Sequence, residues 1–587
     1  MNFLINPIHH PLFQILISFI ICSGILNLGK FINYIFFKNF NFNFFNLSIG
    51  ALILSYIIFF FYLVELLNII VLPLAMFLIL IGIINLNFFT DIKNLIIKLF
   101  KKDNKFFVLI AVIFSLFIII SLGPPSMSDA LDYHYGVPLN IIKYYTFPNH
   151  NIWLHGSLFG FGEFLNIIPL YLKTDNFFAF FQILSLIYFF QYFYKKKINQ
   201  KKIYFSILFV ICTPAFLYLI SGPKALLFPQ LLTTMALYLY FKDNSYNRKN
   251  ILIISILLIG ATQFKLSFIL SGILLGFLIL IKTFKNDKIN ILNLIIILFL
   301  IFLPKIFYNL NQVSSFTFIN LFTTAPIYFL EYLNNFKDNN FIFPINLFIP
   351  FTIGKFSTIL GIHILLLFLL KKISIKFKKI LIVTFVTIII HFIFGQQSSR
   401  LYFEFILWIS VGFYFLEKKS INYRHFNYAL VPQLILTFIT SLYFATIIVP
   451  TLFSLEKRDL FMKENSSDYS AIQWVNKNIP NNAAVISQLR SVSFFNNKAI
   501  PQEQLLAKNG DKLKYVNFLK LHEPLYYITN SDTQDNLFFV NCLGKLYKTS
   551  DNMRNATRNP YNRKFKQRVY IYHFNYKNLD FCADLNF

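Results

Sequence analysis

A chain of 587 residues that is 57% hydrophobic, 19% aromatic and only 13% charged has too little polar surface to cover a soluble globule. Its formal net charge of +28 would suit a nucleic-acid partner. The basic residues instead lie in short connections between apolar runs: Lys101–Lys102, Lys195–Lys197 with Lys201 and Lys202, and Lys371–Lys372 with Lys376, Lys378 and Lys379. Apolar runs of about 15–20 residues separated by basic loops mark a polytopic α-helical membrane protein with those loops on the cytoplasmic side, and set nucleic acid aside.

The first run, near 11–29, lacks the basic start and small-residue cleavage site of a signal peptide and reads as a retained span. Lys30 and Lys38 place the next connection inside. Spans near 46–65 and 67–87 lead to the basic stretch Lys93–Lys105, and a span near 106–122 brings the chain out. Residues 158–172 are too polar, and too interrupted by Gly and Pro, for an ordinary span and read as interfacial. Further spans near 177–194, 203–220, 225–241, 251–264, 267–282 and 290–304 precede a second long outer loop, 305–355. Spans near 356–371, 379–395, 401–417 and 427–449 complete about fourteen.

After Pro450 the composition turns mixed polar. DYSAIQWVNKNIP reads as an amphipathic helix stopped by Pro480, and AAVISQL and RVYIYHF read as strands. Three units are expected: N-terminal transmembrane helices over 1–105, a transmembrane catalytic core over 106–450 with outer loops 123–176 and 305–355, and an extracytoplasmic α/β domain over 451–587. Cys22 and Cys212 fall inside spans as packing residues. Cys542 and Cys582 lie in the polar C-terminal segment and could pair in an oxidising compartment.

The stretch Ser121–Glu163 concentrates the polar chemistry. Asp129, Asp132, His134, Trp153, His155 and Glu163 stand there between runs of Phe, Leu, Ile and Tyr. Acids beside a membrane span are costly to desolvate and point to function. Within SDALDYHYGVPLNIIKYYTFPNH, Asp129 is followed after three residues by Tyr133-His134, with Glu163 downstream in GFGEFLNIIPLYLKTDNFFAF. This stretch resembles the first outer loop of bacterial GT-C glycosyltransferases that use polyprenyl-phosphate donors, the relatives of protein O-mannosyltransferases and of the aminoarabinose transferase acting on lipid A. IGATQFKLS resembles that family's Gly-x-x-x-x-Lys hairpin, ending at Lys265. Arg400 opens a late span, and SAIQWVNKNIPNNAAVISQLRSVSFF resembles its terminal outer domain. Residues 1–105 add three spans before the position where that family begins.

The resemblance implies transfer of a sugar from a polyprenyl-phosphate donor to a cell-envelope glycan, lipid or protein, at the outer face of the inner (plasma) membrane. Such a reaction needs a carboxylate to take the acceptor's proton and cations to hold the leaving phosphate. Asp129 is the expected base, its pKa raised by burial; a helix cap is its structural alternative. Asp132, three residues on, could share a divalent metal with it, and no other cofactor is called for. Glu163 would orient acceptor or donor, or else pair with Lys173. His134 and His155 would donate to phosphate or sugar, with no Cys or His at zinc spacing. Tyr133 and Trp153 would stack on sugar or anchor the interface. Lys224, Lys265 and Arg400, cations at outer span ends, would bind the lipid phosphate or snorkel to headgroups. Glu404, one turn after Arg400, would pair with it. An O-antigen ligase- or polymerase-like enzyme and a lipid-linked-sugar flippase or transporter are the alternatives. Motifs for nucleotide hydrolysis, zinc proteolysis and serine hydrolysis are missing from the sequence.

Overall fold

The structure is a computed structural model and describes residues 10–37, 42–84, 105–145, 159–196, 198–242, 248–284, 306, 308–310, 345–349, 359–370, 372–394, 398–417, 423–501, 519–530, 542–555 and 565–579. Apolar runs become helices because, in lipid, backbone groups must bond within the segment. Helices α1 (Pro11–Phe37), α2 (Asn43–Leu63) and α3 (Leu67–Ile84) pack together, α1 lying against both others. Then come α4 (Lys105–Ser121), a π-helical turn (Ala130–His134), α5 (Tyr135–Tyr144), and the short α6 (Phe161–Leu165) and α7 (Ile167–Tyr171).

Helix α8 (Phe177–Lys195) is almost wholly enclosed by its neighbours. After it, α9 (Gln200–Ile211) and α10 (Ala215–Ile220) divide one expected span at Thr213-Pro214, because proline cannot donate into a continuing helix. Helices α11 (Leu227–Lys242), α12 (Arg248–Phe264), α13 (Ile269–Phe284), α14 (Ile375–Phe394), α15 (Ser399–Gly412) and α16 (Tyr423–Phe453) complete the bundle.

Among the described residues six helices are long and apolar enough to cross a membrane. The other expected spans are shorter helices, or are broken as at Pro214. In the 356–371 run the structure forms a 3-10 helix, Ile362–Leu369. The run near 290–304 lies outside the described residues.

Lysines gather at one end of the bundle. Lys202 donates to the carbonyls of Tyr414 (3.2 Å) and Leu416, and Lys376 donates to the carbonyl of Lys242 (3.3 Å). The opposite end carries the C-terminal domain. There Ser454 caps α17 (Leu455–Asn465) by accepting from the N–H of Lys457, and α18 (Tyr469–Asn478) buries Tyr469, Ile472 and Val475 on one face before Pro480.

The sheet runs β2-β1-β3-β7-β4, with strands β1 (Ala484–Ser487), β2 (Lys498–Pro501), β3 (Tyr526–Thr529), β4 (Leu543–Thr549) and β7 (Tyr570–Phe574). β1 pairs in parallel with β2 and β3, while β7 runs antiparallel to β3 and β4. A separate hairpin joins β5 (Met553–Asn555) to β6 (Phe565–Gln567). One face of the sheet closes on the domain itself through Ile486, Ile500, Tyr527 and Phe574, while on the other Ile472, Val475, Val485, Ile528 and Ile571 pack with Leu131, Tyr135 and Leu139 of the first long loop. Burying apolar surface across that boundary fixes the domain over the loop. Cys22 and Cys212 are free and buried, and Cys542 is disulfide-bonded; Cys582, its expected partner, lies outside the described residues.

Candidate functional site

Asp129 opens the π-helical turn, a wide turn of the kind that recurs at functional sites. Its carboxylate does not cap the helix. Instead it receives three cations from three elements. Lys224 pairs with Oδ2, Arg400 Nη1 lies 3.3 Å from the same oxygen, and Arg490 Nη2 lies 3.3 Å from Oδ1. Arg490 Nε also donates to Asp132 Oδ2 at 3.1 Å. The Tyr218 hydroxyl accepts from Lys224 Nζ at 2.5 Å and from Arg400 Nη1 at 3.3 Å.

The expectation that Asp129 is a carboxylate with raised pKa is reversed. Burial pushes it up, but Lys224, Arg400 and Arg490 outweigh that and hold it well below the usual carboxylate range. Nor do Asp129 and Asp132 fit a shared divalent metal, because the Arg490 guanidinium fills the place between them.

The cations are held by their own supports. Gln182, inside α8, offers Oε1 to the N–H groups of Leu226 (3.1 Å), Leu227 (2.9 Å) and Phe228 (3.4 Å). It therefore caps the start of α11 from another helix and fixes the turn that carries Lys224. Arg400 sits in the first turn of α15, where its carbonyl accepts from Gln230 Nε2 at 2.7 Å. The Lys224 side chain is only 4% exposed, while Asp129 and Arg400 keep 19% and 26%, so the cluster reaches the protein surface along the Asp129–Arg400 edge.

Beside this cluster, His134 Nδ1 lies 2.5 Å from Glu163 Oε1, and Glu163 Oε2 accepts from the Gly160 N–H at 2.5 Å. Glu163 is thus partnered by His134 and not by Lys173. The two glycines around it allow the approach. A Cβ on Gly160 would stand 2.5 Å from the Phe264 carbonyl, and one on Gly162 would stand 2.3 Å from the Ala225 Cβ. Bulk at either would push α6 away from Lys224 and Lys265.

Burial, reinforced by Lys265, pushes His134 down to about 4, so the ring is neutral at physiological pH. Burial pushes Glu163 up, but His134 and Lys265 leave it below its ordinary value and ionised. The assignment that follows places the proton on Nδ1, donated to Glu163, and leaves Nε2 as a lone-pair acceptor with no hydrogen-bond partner. Lys265 Nζ stands 5.1 Å over the Tyr133 ring and, among the described residues, also has no hydrogen-bond partner. Burial brings it down to about 8.

The structure therefore brings together Asp129, Asp132, Tyr133, His134, Glu163, Lys224, Lys265 and Arg400 at one end of the bundle. Glu404 does not pair with Arg400; it accepts from Thr233 and, at 2.7 Å, from Ser271. His155 and Trp153 lie outside the described residues, as does most of 305–355. Arg490, Tyr218 and Gln182 are the site residues that sequence reasoning missed. Tyr218 had one signal, its place six residues before Lys224 beside an outer turn; Arg490 had none.

Apolar helices joined to a small α/β domain over a buried cluster of charges define a polytopic membrane protein with a polar site at one end of its helices. The chain belongs to the DUF1420 family, whose N-terminal domain matches residues 89–462. That stretch contains Asp129, Glu163, Lys224, Lys265 and Arg400 and ends before Arg490. No curated protein matches the chain.

Proposed function

We propose that the chain is a membrane glycosyltransferase of the GT-C kind, moving a sugar from a polyprenyl-phosphate-linked donor to a cell-envelope glycan, lipid or protein. The observation that carries this reading is the convergence of Lys224, Arg400 and Arg490 on one carboxylate, beside Lys265 with its unpartnered ammonium. Cations gathered in a partly buried site repel one another and are relieved by an anion. Seating that site at the end of an apolar bundle favours an anion carried on a lipid. The lysine-rich opposite end supports a cytoplasmic assignment for that side, and hence an extracytoplasmic site and C-terminal domain in the inner (plasma) membrane.

In this reading Lys224, Lys265 and Arg400 hold the phosphate, Arg400 through its planar fork. The acceptor oxygen bonds the anomeric carbon from the face opposite the phosphate. The bond from that carbon to the phosphate oxygen breaks, and the phosphate leaves with the electron pair, inverting the centre. The acceptor's proton goes to His134 Nε2, a base weakened by burial but with its lone pair free, and Glu163 stabilises the imidazolium that forms. Asp129, ionised and saturated by cations, organises the phosphate site and is a poor proton acceptor.

Mass spectrometry of envelope glycans and lipids tests the proposal in cells lacking the protein, complemented with wild type, Asp129→Asn or Lys224→Met. The wild type restores a sugar that the other strains lack, and those strains accumulate the lipid-linked donor. Identical envelopes in all strains would refute the assignment.

A further inference from the structure

Arg490 belongs to the C-terminal domain, beyond the family match, yet its guanidinium lies among residues of the first loop. Its side chain is 11% exposed and splits its nitrogens between Asp129 and Asp132. We propose that Arg490 is a phosphate-binding residue supplied by the C-terminal domain, so that the anion site is complete only when that domain is docked. This inference rests on the glycosyl-phosphate reading above and adds a residue and a domain to it.

The domain is built to aim this one side chain. Asp468 sits at φ +60°, a left-handed conformation that Asp tolerates but that costs energy, and such strain gathers at functional positions. Its Oδ2 accepts from the Arg490 N–H at 3.0 Å. Its Oδ1 accepts from Asn555 Nδ2 at 2.9 Å and Gln567 Nε2 at 3.4 Å, and its own N–H donates to Asn555 Oδ1 at 2.8 Å. The next residue is held as well, the Ser491 hydroxyl donating to the Ser467 carbonyl at 2.9 Å. The β5–β6 hairpin therefore fixes Asp468, and Asp468 fixes the backbone from which Arg490 reaches out.

Other contacts also hold the domain in place. Arg458 pairs with Asp175, Lys143 Nζ donates to the Asn496 carbonyl at 2.8 Å, and the shared apolar core covers α5. A residue needed only as a clasp would have no reason to join Lys224 and Arg400 on the same carboxylate, where like charges repel. With a phosphate bound, the three cations share two kinds of anion. Arg490 can then turn one nitrogen from Asp129 to a phosphate oxygen while Nε stays on Asp132. The geometry suits a tethered fork better than a flexible ammonium.

The test uses the full chain in detergent and measures binding of farnesyl phosphate, with inorganic phosphate as a second arm, to wild type, Arg490→Lys, Arg490→Ala and Arg458→Ala. Hydrogen exchange over Tyr135–Tyr144 reports docking. The expected result is farnesyl phosphate binding weakened about tenfold or more by Arg490→Ala and less by Arg490→Lys. Arg458→Ala should keep wild-type affinity while exchange over Tyr135–Tyr144 stays at its wild-type level, because the shared apolar core still holds the domain. Inorganic phosphate bound as well as farnesyl phosphate would make the ligand a free anion, and would overturn the lipid-linked form of the proposal. Wild-type binding matched by Arg490→Ala removes Arg490 from the site and leaves the glycosyltransferase reading standing. Equal weakening by Arg458→Ala and Arg490→Ala, with exchange over Tyr135–Tyr144 raised in both, makes Arg490 a clasp and overturns the proposal. No binding of either ligand by wild type overturns both this inference and the functional reading.

Discussion

Replacing Asp129 with Asn keeps the shape of the side chain and removes the one charge on which three cations converge. At 3.3 Å and an effective dielectric of about 20, each of the Arg400 and Arg490 contacts carries roughly 5 kcal/mol of attraction before desolvation is counted. Removing one partner of a buried ion pair typically costs about 3–5 kcal/mol. Asp129 and Arg400 keep 19% and 26% exposure, and Asp132 still faces Arg490, so solvent and that second carboxylate reduce the loss to about 2–4 kcal/mol.

The assay is unfolding of the detergent-solubilised protein with and without farnesyl phosphate. Ligand at a hundred times its dissociation constant adds about 2.7 kcal/mol, enough to offset most of the deficit. The sign with pH is fixed. The folded pKa of Asp129 lies below its unfolded value, so its contribution is fully present above the unfolded value and is lost only as pH falls through the folded one. The gap between wild type and Asp129→Asn should therefore stay flat from pH 8 down to about pH 5.5. An Asp129→Asn protein as stable as wild type without ligand, or a gap that closes over that interval, would defeat the charge argument.

Two further outcomes follow from neighbouring residues. Lys265 is brought down to about 8, so it is charged below that pH and neutral above it; affinity for farnesyl phosphate should fall as pH rises through about 8 in wild type and lose that step in Lys265→Met. Gln182→Leu strips the acceptor from three backbone N–H groups at the start of α11, a cost of about 1–3 kcal/mol, and should weaken ligand binding through the displaced Lys224 turn.

The bundle was legible because apolar composition determines helix in lipid, and the C-terminal helix and strands were legible from amphipathic period and Pro480. Helix lengths were less so. An unbroken apolar run hides Pro214, whose effect is local and steric and not hydropathic. Asp129 stood out as an acid beside a span, costly to desolvate, and Lys224, Lys265 and Arg400 as cations at span ends where the positive-inside rule predicts few. Their meeting did not, because Lys224 is 95 residues and Arg400 is 271 residues from Asp129, and only the packed helices set those distances. Sequence neighbourhood also misled: Glu163 lies closer in sequence to Lys173, but the packed fold sets it against His134. Arg490, 358 residues from Asp132, sits in a mixed-polar segment where one arginine carries no signal.

The separation of Arg400 from Glu404 shows why the site keeps its positive character. Four residues apart on one helix, opposite charges ordinarily pair. Here Glu404 is turned into the bundle, where Thr233 of α11 and Ser271 of α13 donate to it, and the Ser271 hydroxyl also contacts His391 Nε2 of α14 at 3.2 Å. A carboxylate satisfied by hydroxyls ties four helices together without drawing a cation inward. The Thr233 hydroxyl also lies 3.0 Å from the carbonyl of Gln230, whose amide holds the Arg400 carbonyl, so the same polar seam reaches the first turn of α15. Had Glu404 taken the Arg400 guanidinium, one of the three cations on Asp129 would have been neutralised inside the membrane. Hydroxyl partners for the acid and an open edge for the arginine leave that charge available at the end of the bundle.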